Sequence, residues 1–165
     1  MDDSGARVQN SRMLQIRAAD GAADVVVLRT LFREYAAGAN APACFVKFED
    51  ELAALPGEYA PPSGRLLLAD NGEPAGCVAL RRLDALSAEI KRLYVRQAYR
   101  GSRLGRALAL AAIDTARETG ARRVVLDTLP SMAHAQQLYR SLGFRGIAPY
   151  LAEPTPCALC FELRL

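Results

Sequence analysis

The 165-residue chain has no tryptophan, three methionines and a single histidine. One histidine narrows the chemistry, because any Ser-His-Asp or Cys-His mechanism would have to run through His134, which stands on an Ala/Gln-rich segment with no carboxylate beside it. Four cysteines (Cys44, Cys77, Cys157, Cys160) are too few and too scattered for a disulfide scaffold, and free thiols in a reducing, cytoplasmic setting are expected. Cys157 and Cys160 form a CxxC, but the two further ligands that zinc needs are missing, so no metal is expected. No stretch approaches the ~18 consecutive apolar residues of a membrane span, which argues against a membrane partner. Residues 1–12 are polar and carry no apolar run of signal-peptide length; they read as a flexible tail ahead of one domain over 13–165. A dominant charge is lacking too. Twenty-one Lys and Arg face 18 Asp and Glu, and a net +3 is too mild to suggest a nucleic-acid coat.

What is present is a core: 51% of the residues are hydrophobic, enough for one globular domain. Leu14–Ala18 reads as a strand, and Asp20 can cap a helix to about Ala37 with Val25, Leu28, Leu31, Phe32 and Tyr35 on one stripe. A short helix over Phe48–Leu55 follows. Arg65–Ala69 and Pro74–Leu83 flank an Asn71-Gly72 turn, a hairpin signal, and the next strand runs over Ala88–Val95. An alanine-rich helix spans Ser102–Thr119, a strand Arg123–Leu126, and a helix capped by Ser131 runs through Leu142. Strands at Phe144–Ala148 and Ala158–Leu163 complete an α/β pattern with a mixed sheet.

The informative stretch is EIKRLYVRQAYRGSRLGR, Glu89 to Arg106, a strand leading through a glycine turn into a helix. From Lys91 to Arg106 it holds six basic residues (Lys91, Arg92, Arg96, Arg100, Arg103, Arg106) and no acid, leaving −3 for everything else. A helix start exposes unpaired N–H groups and the positive end of the helix dipole, so glycines and arginines there suit phosphate oxygens. The Gly-Lys-Ser/Thr ending of a Walker A loop is absent, as is the GxGxxG of a Rossmann turn.

Arg100-Gly101-Ser102-Arg103-Leu104-Gly105 instead resembles the acetyl-CoA signature of the GNAT superfamily of N-acetyltransferases, Gln/Arg-x-x-Gly-x-Gly/Ala, with Arg103 at a position that is usually glycine. The strand AEIKRLYV before it, the strand RRVVLDT after it and the segment AQQLYRSLGF (Ala135 to Phe144) are similar to the superfamily in order and spacing, from Leu14 to Leu165. Met132 stands where many members carry an asparagine. The resemblance implies a mixed, mostly antiparallel central sheet flanked by helices and acetyl-CoA as acyl donor. The pantetheine would lie along the backbone of Leu93, Tyr94 and Val95. The pyrophosphate would sit on the amides of Gly101, Ser102, Arg103, Leu104, Gly105 and Arg106, helped by the charges of Arg100 and Arg106. It also implies Glu89 as a base acting through water, and Tyr139 as the group that protonates the departing sulfur. Strand alternation places Glu89, Lys91, Leu93 and Val95 on one face, and the bland alternative for Glu89 is a partner for a neighbouring arginine.

The acceptor is expected to be a primary amine. Residues 20–60 contain seven acids (Asp20, Asp24, Glu34, Glu49, Asp50, Glu51, Glu58) against three bases, a rim that would attract a cationic acceptor. Tyr59, Pro61, Pro62 and Tyr150 could line its pocket. A catalytically silent acyl-CoA-binding module of the same fold is the competing reading. A nucleic-acid binder is disfavoured, since aromatics near the basic run are limited to Tyr94 and Tyr99. The resemblance also allows a homodimer joined at sheet edges or C-terminal strands.

Overall fold

The computed structural model describes residues 13–165; the expected tail over 1–12 lies outside the described residues. The elements follow as β1 (Gln15–Ala18), α1 (Gly21–Ala39), α2 (Phe48–Ala54), β2 (Arg65–Asp70), β3 (Pro74–Arg82), β4 (Ser87–Val95), α3 (Leu104–Glu118), β5 (Arg123–Thr128), α4 (Ala133–Ser141), β6 (Arg145–Ile147) and β7 (Leu159–Arg164). The strands form one sheet in the order β1-β2-β3-β4-β5-β7-β6. Its neighbours are antiparallel except β4 and β5.

The sheet divides two apolar cores. On one face α1 lays Leu28, Leu31 and Phe32, all fully buried, against Leu66, Leu68 and Ala79, with Leu52 of α2 closing the layer. On the other face Leu104, Leu108, Ala112, Ile113 and Ala116 of α3 cover Val78, Leu80, Ile90, Val124 and Leu126. Burial of each large aliphatic side chain stabilises the fold by about 1.5–3 kcal/mol, so both helices are held by their apolar stripes rather than by their ends. Accordingly, neither cap expected from the sequence forms. Asp20 stands at the N-cap of α1 without a side-chain bond, and its own N–H donates instead to Asp24 Oδ2 at 2.8 Å. Asp24 also receives Arg17, at 2.6 Å from Nη1. At α4 the cap position falls on Met132 rather than Ser131.

One irregularity in β4 controls the geometry downstream. Cys77 pairs with Tyr94 but Ala79 pairs with Lys91, so β4 carries an extra residue at a bulge. Arg92 there has φ 56, a left-handed conformation unusual for a side chain larger than glycine. The bulge reverses the alternation. Ala88, Ile90, Leu93 and Val95 pack towards α3, whereas Tyr94 packs towards α1. The expectation that Glu89, Lys91, Leu93 and Val95 share one face is therefore corrected: Glu89 and Lys91 lie opposite Leu93 and Val95. Gly76 of β3 permits the close approach, since a Cβ there would meet the Tyr94 carbonyl oxygen at 2.5 Å.

The bulged Arg92 is turned inward and mostly buried. Its Nε and Nη2 donate to Glu51 Oε1 and Oε2 at 3.1 and 2.5 Å, and its guanidinium lies 5.1–5.8 Å from the ring centroids of Tyr35, Phe45 and Phe48. Burial raises the Glu51 pKa, but the hydrogen bonds and charge of Arg92 outweigh it and the net shift is downward. A lowered folded-state pKa means that this contribution to stability is full above the ordinary carboxylate pKa and is lost as pH falls through the lowered value. Arg92→Met, which strands a half-buried carboxylate, is expected to destabilise the fold by about 3–5 kcal/mol in thermal melts at pH 7 and by less at pH 3.

Candidate active site

β4 and β5 are in register only from Ser87–Arg123 to Glu89–Val125. Beyond that fork they diverge, leaving the facing backbone edges of 90–95 and 126–128 without a strand partner. The gap holds a cavity of about 40 Å³ bordered by Leu93, Asp127, Thr128, Met132, Ala135 and Tyr139. A second, of about 50 Å³, shares Tyr35, Lys91, Arg92, Asp127 and Thr128 with it. On the α2 side, Lys91 and Arg92 also border a pocket of about 440 Å³ with Lys47, Phe48, Glu58 and Arg81.

At the end of β4 the chain makes a short 3-10 turn over Gln97–Tyr99 and enters α3 through two left-handed residues, Gly101 at φ 82 and Arg103 at φ 63. α3 thus begins at Leu104 rather than at Ser102. Arg103 keeps the backbone shape that a glycine would take, instead of a right-handed helical one, and its side chain is exposed. The amide N–H groups of Gly101 through Arg106 donate to no acceptor among the described residues; the flanking bonds are Arg100 N–H to Gln97 O and Ala107 N–H to Arg103 O. Six free donors at a helix N-terminus form an anion cradle. Arg100, Arg103 and Arg106 are exposed around it, Arg100 anchored to Val95 O at 3.0 Å and Arg106 to Ser141 Oγ at 3.0 Å. Ser102 Oγ donates to Tyr99 O and Leu104 is buried, so these two shape the turn through their side chains. Gly105 has ordinary room for a Cβ, 3.7 Å from Leu138.

The other half of the basic run is occupied elsewhere. Arg96 is held by Glu34 at 3.0 and 2.7 Å and Arg92 by Glu51, so three rather than six of these cations surround the cradle. The same pairs dissolve the expected acidic rim. Of its seven acids, Asp24, Glu34, Glu49, Glu51 and Glu58 each face an arginine within 4.0 Å.

Tyr139 enters the gap from the α4 side. Its ring stacks edge-on to Phe144 at 5.6 Å, and burial, with Tyr35 and Asp127 nearby, pushes its phenol well above the ordinary value. Glu89 is fully buried: Oε2 accepts from Arg81 Nε at 2.5 Å, Oε1 accepts from Tyr150 Oη at 2.6 Å, and Lys91 Nζ lies 4.0 Å away. Both oxygens are committed, so service as a base through water would require Tyr150 to withdraw. Leu93 borders the gap, while Tyr94 turns away towards Tyr35 at 6.4 Å and Val95 packs under α3. Of the residues expected around the acceptor, Tyr59 borders the large pocket with its hydroxyl on Glu51, Tyr150 seals Glu89, and Pro61 and Pro62 are exposed away from it. Sequence reasoning did not single out Tyr35, Glu51 as the partner of Arg92, or Asp127. Only Asp127 had a signal, as the one acid in the strand RVVLDT. Among the described residues no group of three or more His, Cys, Asp and Glu is placed to hold a metal ion, and no helix is long and apolar enough to cross a membrane.

Known proteins share this fold. The model of the Acetyltransferase (GNAT) family matches residues 27–144. An uncharacterized N-acetyltransferase of Schizosaccharomyces pombe is 34% identical over 86% of this chain and 89% of its own. Among solved structures, an acetyltransferase from Streptococcus agalactiae has a TM-score of 0.77 at 23% identity, covering 92% of this chain and 98% of its own. The PaiA N-acetyltransferase from Thermoplasma acidophilum, crystallised with coenzyme A, has a TM-score of 0.75 at 18% identity, covering 93% and 99%.

The left-handed Arg103 yields a direct test of the cradle. Arg103→Gly removes the steric cost of that conformation and is expected to raise stability by about 1 kcal/mol in denaturant titrations. Because one cation is lost, it should also flatten the dependence of CoA affinity on salt.

Proposed function

The chain belongs to the GNAT acetyltransferase family, and from that premise we propose that it passes the acetyl group of acetyl-CoA to a primary amine, on a small molecule or a peptide, by direct attack in a ternary complex. The observation that carries this reading is the junction of an unfilled strand fork with six free amides and three exposed arginines. The residues fit the donor. The amides of Gly101–Arg106 would take the pyrophosphate, with Arg100, Arg103 and Arg106 adding charge, and the β5-facing edge of Leu93–Val95 would pair with the amide groups of the pantetheine. An amide near Leu93 or Tyr94 would face the thioester oxygen as it gains charge. The four cysteines are free thiols, which suits a cytoplasmic setting.

Tyr139 serves as the acid. A buried phenol with a raised pKa keeps its proton until a thiolate develops beside it, and the same water-poor gap raises the basicity of that thiolate. Glu89 works at one remove: it anchors Tyr150 and Arg81, the latter bordering the pocket against α2. The amine enters from the pocket against α2, on the face opposite α3.

Release of free CoA thiol from acetyl-CoA, measured across a panel of primary amines, tests the activity. Tyr139→Phe is expected to lower kcat by about 10²-fold or more with the KM for acetyl-CoA unchanged. Arg100→Ala is expected to raise that KM by about 10-fold while leaving kcat near wild type. Saturable acetyl-CoA binding without thiol release for any amine would instead mark a silent binding module.

A further inference from the structure

We infer that Asp127 receives the acceptor's ammonium group and takes its first proton. This rests on the transferase reading and names the residue that prepares the amine. Val124 and Leu126 of β5 point into the α3 core, so alternation turns Asp127 to the opposite face, the side from which the acceptor enters. Asp127 stands two residues beyond Val125, the last β5 residue paired with β4, and therefore at the mouth of the fork. It borders both small cavities there, one of which also contains Tyr139.

Its bonding distinguishes it from the other acids around the acceptor side. Glu34, Glu51, Glu58 and Glu89 each have an arginine. Asp127 has no cation within 4.0 Å among the described residues; one oxygen, Oδ2, accepts from Thr155 Oγ1 at 2.7 Å, and Oδ1 accepts from no described donor. A carboxylate with one unengaged oxygen and no counter-charge is a fitting partner for an incoming ammonium. Lys91 and Arg92, across the gap, are turned to Glu89 and Glu51 and leave that role open.

The protons then balance. The ammonium R–NH3+ gives one proton to Asp127, which returns it to solvent. The neutral nitrogen attacks the thioester carbon, the C–N bond forms and the C–S bond breaks. The sulfur takes the phenolic proton of Tyr139, which is replaced by the second proton lost from nitrogen. Cavities of about 50 and 40 Å³ around Asp127 admit an aminomethyl group, with the remainder of the acceptor in the pocket of about 440 Å³. The substrate class is thus an amine on an unbranched carbon.

Benzylamine serves as probe, with Asp127→Asn, Asp127→Glu and Thr155→Val compared to wild type and melting temperatures confirming folding. In steady-state kinetics, Asp127→Asn is expected to lower kcat about 100-fold and raise the KM for the amine, with the KM for acetyl-CoA unchanged. Asp127→Glu should recover about a tenth of the activity, and Thr155→Val should have a smaller effect on the same two parameters. Unchanged kcat in Asp127→Asn, or a parallel loss of acetyl-CoA affinity, overturns the assignment. An NMR titration of the CoA-saturated protein separates this from failure of the transferase reading. Benzylammonium should bind wild type about 10-fold more tightly than Asp127→Asn, with benzyl alcohol binding both equally. Equal benzylammonium affinities reject the role of Asp127 whether or not thiol is released. Absence of thiol release across the whole panel of primary amines, with the difference in benzylammonium affinity intact, rejects the transferase reading and leaves the ammonium site standing.

Discussion

β4 and β5 share three register pairs and then part, and the backbone groups exposed by that divergence are the constraint to which the rest of the molecule responds. Buried N–H and C=O groups need partners, and two strands that separate inside a sheet forfeit theirs. Here the gap is bounded by α4 on one side and α1 on the other, neither of which supplies a ladder. An extended, amide-bearing ligand can. The pairing of β5 with β7 over six residues keeps the diverging arm rigid, and α3 packed beneath Leu93 and Val95 does the same for β4. The fork is therefore an open geometry held by closed-packed surroundings.

Charge is organised around the same point. A basic run in the chain becomes two structures: Arg92 and Arg96 tie β4 to acids of α2 and α1, while Arg100, Arg103 and Arg106 stand free beside unpaired amides. The first pair contributes to holding α2 and α1 against the sheet. The second set gives the start of α3 a local positive field that a modest net charge conceals.

Much of this was legible in the sequence. The apolar stripes of α1 and α3 obey helical spacing, the Asn71-Gly72 hairpin formed, and the glycine turn leads with its arginines into α3. Three features were not. Alternation along β4 could not be carried past Arg92, because nothing in Lys-Arg-Leu signals a bulge and a left-handed arginine is against expectation. The acids of residues 20–60 looked like a rim because three of their arginine partners, Arg81, Arg92 and Arg96, are brought from other strands by the fold, while Arg17 and Arg33 lie nearer in the chain. Asp20 and Ser131 are good capping residues on propensity alone, yet helices already fixed by buried faces did not use their side chains.

The bulge is also a place where this strand could be shortened without being reversed. Arg92 is the extra residue between Lys91 and Leu93, so its deletion would leave Leu93 and Val95 facing α3 and Tyr94 facing α1, with β4 paired regularly to β3. What the deletion would remove is the guanidinium held by Glu51 among the rings of Tyr35, Phe45 and Phe48. The irregular backbone therefore serves to place one cation, and the faces taken by the residues after it do not depend on that extra length.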